Sequence, residues 1–292
     1  MTNAAVLTEY EIDVKDVEYL RHGDQPLLAR VYQPRGDGPF PLVIELHGGA
    51  WCRSNRLQDV YLNETLARSG VVVAALDFRM PPSAGYPASF ADINYAIRWF
   101  KMRSREFGCR ADRVGIMGSS SGGHQAVLAA LRPHDPRYAA LPLAGGAGVD
   151  ASVGCVIAVW PVIDPLGRYQ YAKQRKAGGQ PYPPVIDRVL PDHDSYWQTE
   201  AAMAEGSPLR ALERGERVAL PAVLYVQGTI DAAHPRPHLD GFVAHYRKAG
   251  GRLDLELYEG EGEGFIVHKP DSPAARDALH KISAFVHREI PA

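Results

Sequence analysis

Only three cysteines, Cys52, Cys109 and Cys155, occur in the 292-residue chain. Their odd number and wide spacing exclude a disulfide framework and a zinc site, and their apolar surroundings predict buried free thiols in a reducing compartment. Charge of one sign is equally scarce: 32 Lys and Arg stand against 34 Asp and Glu. This is not the basic excess of a nucleic-acid binder. No apolar run approaches the roughly 18 residues of a membrane span, and the first residues, MTNAAVLTEYEIDVKD, show neither a basic nor a long apolar leader region. Repeats, low-complexity tracts, coiled-coil heptads and charge blocks are missing too. The expectation is a soluble cytoplasmic protein with no nucleic-acid or membrane partner, long enough to bury a large core as one domain, 1–292.

Apolar runs of strand length alternate with longer helical patterns. An antiparallel strand is expected over 25–32, after a turn at Arg21-His22-Gly23-Asp24. Further strands are expected at 41–46, 71–76, 113–117, 153–160, 222–227 and 253–258. Helices are expected over 58–69, 89–107, 120–131, 236–249 and 274–289, with Gly250-Gly251 stopping the fourth. Continuous β-branched runs between helices predict an α/β fold, a mostly parallel sheet covered on both faces. Between 161 and 221 the rhythm breaks, because Gly178-Gly179, Pro181, Pro183-Pro184 and Pro191 interrupt any long element. A segment of that length, carrying Tyr169, Tyr171, Tyr182, Tyr196 and Trp197, reads as a lid insertion over a site; the alternative is a surface excursion whose aromatics anchor it to the core.

Strand 114–117 runs into Gly118-Ser119-Ser120-Ser121-Gly122 and then an apolar helix, which is the pattern of a nucleophile elbow. The glycines permit a strained turn that lifts the Ser120 hydroxyl out of the sheet, with a helix N-terminus behind it to favour developing negative charge. Strand 41–46 ends in His47-Gly48-Gly49-Ala50-Trp51, a flexible turn at the same carboxyl edge. Amides of Gly48, Gly49 and Ala50 are thus placed to join that of Ser121 as an oxyanion hole. Trp51, Tyr86, Trp160 and Trp197 are candidates for the substrate pocket, favouring an apolar or aryl moiety.

Together with these motifs, Asp77-Phe78-Arg79-Met80, Tyr86-Pro87-Ala88-Ser89-Phe90-Ala91-Asp92 and Ile97-Arg98-Trp99 make nearly the whole chain resemble the α/β-hydrolase fold, near the hormone-sensitive-lipase-like and kynurenine-formamidase-like esterases. The resemblance places the acid of a catalytic triad at Asp231, in Gln227-Gly228-Thr229-Ile230-Asp231, and gives Asp92 a structural role at a helix start. It also places a histidine where Gly260-Glu261-Gly262-Glu263-Gly264-Phe265 has Glu263. An unperturbed carboxylate is a weaker base than imidazole by about two pKa units.

Three solutions follow. Glu263 is itself the base, its pKa raised by burial and by Asp231; or His234 or His268 substitutes; or the fold carries out lyase or proton-transfer chemistry, or binds a small ligand. Geometry ranks Glu263 first. His124, one helical turn beyond Ser120, reads as packing. The alternate acids Glu259, Glu261 and Glu263 read as a solvated turn, so neither a metal nor an organic cofactor is expected. The leading expectation is a serine hydrolase with an atypical triad that acts on a small carboxylic ester or related acyl compound through an acyl-enzyme on Ser120. A C2 homodimer is the symmetry prior for its assembly.

Overall fold

The computed structural model describes residues 9–179 and 181–291. One eight-stranded sheet runs through it in the order β1-β2-β4-β3-β5-β6-β7-β8. Strands β1 (Ile12–His22) and β2 (Gln25–Pro34) form an antiparallel hairpin turned at Gly23, whose φ of 57° suits glycine. β2 also runs antiparallel to β4 (Val72–Leu76). The remaining pairings, among β3 (Phe40–Leu46), β4, β5 (Cys109–Ser119), β6 (Cys155–Val159), β7 (Ala222–Gly228) and β8 (Leu253–Tyr258), are all parallel.

β3, β4 and β6 are buried at every position, as expected of strands covered on both faces. Their side chains divide by the two-residue period. Leu42, Ile44, Leu46, Val72, Ala74 and Leu76 pack on one side, with helices α2 (Ala88–Met102), α3 (Ser121–Leu131) and α8 (Arg236–Lys248). Val43, Val73, Ala75 and Met117 pack on the other, under α1 (Val60–Arg68) and the C-terminal α10 (Pro273–Glu289). The expected helix 89–107 ends at Met102, and a separate 3-10 turn spans Ser104–Phe107. The three cysteines are free; Cys109 and Cys155 are buried, but Cys52 is only half-buried.

The segment 161–221 differs from its reading as a stretch without long elements. It holds four helices: α4 (Pro165–Ala177), α5 (Ile186–Trp197), α6 (Glu200–Glu205) and α7 (Pro208–Glu213). The prolines fall where a helix tolerates them. Pro165 and Pro208 occupy first turns, where no intrahelical N–H partner is lost. Pro191 lies inside α5, whose buried Ile186, Val189, His193, Tyr196 and Trp197 hold it in place despite the missing donor. Because every β-strand carboxyl end from β3 to β8 opens on one edge, this segment, the elbow after β5 and the loops after β7 and β8 meet there.

Candidate active site

Ser120 adopts φ 52° and ψ −114°, a conformation that non-glycine residues rarely hold. Three backbone bonds fix it: its N–H donates to the Val159 carbonyl at 3.0 Å, and its own carbonyl accepts from Val162 and His124 at 3.0 and 3.1 Å. The elbow also requires its glycines. A Cβ on Gly122 would collide with the Leu46 and His47 carbonyls, and one on Gly118 with the Gly122 backbone. The turn is therefore pressed against the end of β3, which brings His47-Gly48-Gly49 beside the serine.

The base nearest Ser120 is not Glu263. His234 Nε2 lies 3.3 Å from Ser120 Oγ, and His234 Nδ1 lies 2.8 Å from Asp231 Oδ2. This arrangement fixes the tautomer: Nδ1–H donates to the carboxylate, and the Nε2 lone pair faces the hydroxyl. Asp231 Oδ1 accepts from the Ala233 and His234 amides at 2.8 and 3.1 Å, an Asx-type turn that seats the carboxylate and the imidazole three residues apart. Burial acts to raise the Asp231 pKa, but attraction to His234 and the hydrogen bonds from His234 and Ala233 outweigh it and hold the carboxyl below its usual value. Gln227, buried at the end of β7, donates through Nε2 to the His234 carbonyl at 3.0 Å and steadies the turn.

Glu263 is set back. Its Oε1 is 4.0 Å from His234 Nε2, its side chain is 36% exposed, and His234 rather than Glu263 is the hydrogen-bond partner of Ser120. His268, at the end of the short helix α9 (Phe265–His268), lines the same cavity but is not among the partners of Ser120. His124 has the packing role read from its position. Nε2–H donates to the Gly206 carbonyl at 2.8 Å, Nδ1 accepts from Trp51 Nε1 at 3.1 Å, and burial depresses its pKa to about 4. The bond accepted from Trp51 needs the neutral ring that burial enforces.

The glycine turn after β3 presents amides to the site. The Gly49 carbonyl accepts from Cys52 and Arg53 at 3.1 Å each, and in a trans peptide the Ala50 N–H points the opposite way. Gly49 has φ 101°, and a Cβ there would meet the Arg53 carbonyl. The Ser121 N–H, at the first position of α3, has no intrahelical acceptor by helix geometry. Gly48, Gly49, Ala50 and Ser120 all line one cavity of about 410 Å³.

Of the four aromatic pocket candidates, only Trp160 lines that cavity. Trp51, Tyr86 and Trp197 instead pack with Tyr196 and His124 in a buried cluster, Trp51 stacking on Tyr196 at 5.5 Å and Tyr86 lying 4.7 Å from Trp197. Their large apolar area is used to tie segment 161–221 to the elbow helix. The same segment supplies Arg168, Val185, Arg188, Val189 and Asp192 to the cavity wall, so it is both anchored to the core and part of the wall. The wall is more polar than the sequence predicts.

Two supporting acids complete the surroundings. Asp92 sits one turn inside α2 rather than at its start, fully buried, and accepts from the Arg79 amide at 2.9 Å, from Arg79 Nη2 at 2.8 Å and from His22 Nε2 at 2.8 Å. Glu45, buried in β3, has its pKa driven well above the usual value by burial and by Asp59 beside it. Glu45 thus keeps its proton while Asp59 accepts the Ser119 hydroxyl at 2.9 Å, directly before the nucleophile position. Among the described residues no cluster of His, Cys, Asp and Glu is arranged to hold a metal ion, and Glu261 of the acidic loop pairs with Lys269 at 2.7 Å.

A mostly parallel sheet, a serine on a strained strand-to-helix turn and a histidine-bearing loop at one edge define the α/β-hydrolase fold. The chain belongs to the BD-FAE family, whose model matches residues 30–198, more than half its length. It is 27% identical over 272 residues to esterase LipC of Mycobacterium tuberculosis, covering 91% of this chain and 64% of LipC, less than two thirds of that relative. A 2-hydroxyisoflavanone dehydratase of Glycyrrhiza echinata is 26% identical over 286 residues, covering 88% of this chain and 80% of the dehydratase. A solved structure, the hyperthermophilic esterase of the archaeon Pyrobaculum calidifontis, matches with a TM-score of 0.75 at 22% identity over 97% of this chain and 88% of its own.

Proposed function

We propose that the chain is a serine hydrolase of small carboxylic esters, with Ser120 as nucleophile, His234 as general base and acid, and Asp231 as its orienting carboxylate. The observation that carries this reading is the continuous relay from Ser120 Oγ to His234 Nε2 at 3.3 Å and from His234 Nδ1 to Asp231 Oδ2 at 2.8 Å. The Ser120–His234 distance is long for a resting hydrogen bond and within the range that tightens when substrate is bound. LipC and the Pyrobaculum protein, both named esterases, support the reaction class.

In this mechanism Ser120 Oγ attacks the ester carbonyl as His234 Nε2 takes its proton. The Gly49, Ala50 and Ser121 amides receive the oxyanion, with Gly48 setting the turn. His234 returns the proton to the leaving alcohol, and water, activated in the same way, releases the acid. Glu263, 4.0 Å from Nε2, is reassigned from base to a charge that favours the transient imidazolium, and His268 to the cavity wall. Segment 161–221 acts as the cap. Hydrolysis of 4-nitrophenyl butyrate tests the reading. Wild type is expected to turn over and Ser120→Ala to lose about 10⁴-fold or more in kcat; equal rates for the two proteins would refute it.

A further inference from the structure

Resting on that reading, we infer that the substrate of this esterase carries a carboxylate, which the guanidinium of Arg168 receives. Arg168, in the first turn of α4, is only 4% exposed, and it lines the cavity that holds Ser120. Its Nε and Nη1 are buried with no hydrogen-bond partner among the described residues. No carboxylate among them lies within 4.0 Å of it, although Glu263, Asp231 and Asp192 all act on it at longer range, against a burial cost that lowers its pKa.

A buried guanidinium with idle donors is costly in an empty site and is compensated when an anion arrives. Its planar fork matches a carboxylate in particular. The other charges of the cavity are largely spent. Asp192 pairs with Arg53 through Nη1 at 3.0 Å, and Asp59 neighbours the protonated Glu45. Glu263, 4.0 Å from the resting neutral His234, is the one of these carboxylates that acts most strongly on Arg168, and it does so only at longer range. Arg188, exposed at the cavity mouth, adds a positive charge on the way in. A neutral acyl chain would leave the Arg168 charge without a close counter-charge, and a monoanion in the cavity it lines would supply one.

Two matched ester pairs locate the carboxylate: mono-4-nitrophenyl glutarate against 4-nitrophenyl valerate for the acyl side, and 4-acetoxybenzoate against phenyl acetate for the alcohol side. The wild type is expected to prefer the anionic member of one pair by about 10-fold or more in kcat/KM. Arg168→Met should lower that value by about 30-fold or more while changing the neutral ester by less than about threefold, and Arg168→Lys should recover part of the loss. A wild type that prefers the neutral member of both pairs, or an Arg168→Met variant that loses both members equally, would overturn the inference. Calorimetric binding of glutarate and of 4-hydroxybenzoate to wild type and Arg168→Met reads the same contact without turnover. If no ester is hydrolysed, binding of either anion by the wild type alone upholds the carboxylate site while the esterase reading falls; binding of neither overturns the site as well. Should Arg168→Met fail to fold, Arg168→Lys and the wild-type preference carry the decision.

Discussion

At the scale of single residues, the site turns on one substitution of position. The family pattern places a histidine after the last strand, and this chain has Glu263 there, yet an imidazole reaches Ser120 from a different loop. His234 follows Asp231 by three residues, so one turn carries both members of the proposed acid–base pair. Local connection of the pair has a consequence for mutation. Asp231 Oδ1 also accepts the two amides that shape the turn, so Asp231→Asn alters the tautomer of His234 and loosens its seat together. A loss of about 10⁴-fold in kcat with little change in KM is expected, measured on 4-nitrophenyl butyrate. Ser120 was singled out by the strand and glycine motif around it and Asp231 by the family resemblance, and the structure places both beside His234. His234 was harder to rank, because a histidine just before Pro235 and a helix reads equally well as a cap. Its only signal is the spacing Asp-x-x-His directly after a strand.

At the scale of elements, the strain at Ser120 is held by the close approach of the elbow to the end of β3. Gly122 is the contact point, where a methyl group would meet the Leu46 and His47 carbonyl oxygens. Gly122→Ala must either push β3 away or flatten the elbow. Thermal unfolding is expected to drop by roughly 5 °C or more, with esterase activity lost before the fold is. The parallel strands and the flanking helices were legible because their periods are uninterrupted; β1 was not among the expected strands, its side chains being mostly exposed and so without an apolar face to read. The four helices of 161–221 were not, because prolines and glycines mark their ends and a local reading treats each as a break. Their stability comes from tertiary packing on Trp51, Tyr86 and His124, which no local pattern carries. The same packing explains why three aromatic residues expected in the pocket are in the anchor instead.

At the scale of the whole molecule, the largely apolar faces of the sheet enclose a buried acid pair, Glu45 and Asp59, under the site. Glu45 is 1% exposed and retains its proton well above the pH at which it ionises in the unfolded chain, about 4.3. The native state therefore binds more protons than the unfolded state above that pH. Stability falls as pH rises above that value, with a slope of up to about 1.4 kcal/mol per pH unit from this group, until Glu45 ionises in the native state. Glu45→Gln removes the ionisable proton and keeps the shape, so chemical denaturation across that window should show a flatter profile for the variant. An unchanged slope would contradict the retention of the proton by Glu45.

The central claim is that His234, and not Glu263, activates Ser120. The most direct measurement is the rate at which a fluorophosphonate labels Ser120, read by intact mass, in wild type, His234→Ala and Glu263→Gln, since labelling reports the nucleophile without depending on the natural substrate. Labelling is expected to slow by about 100-fold or more in His234→Ala and by less than about threefold in Glu263→Gln. Normal labelling of His234→Ala beside an inert Glu263→Gln would contradict it and return the role of base to the carboxylate.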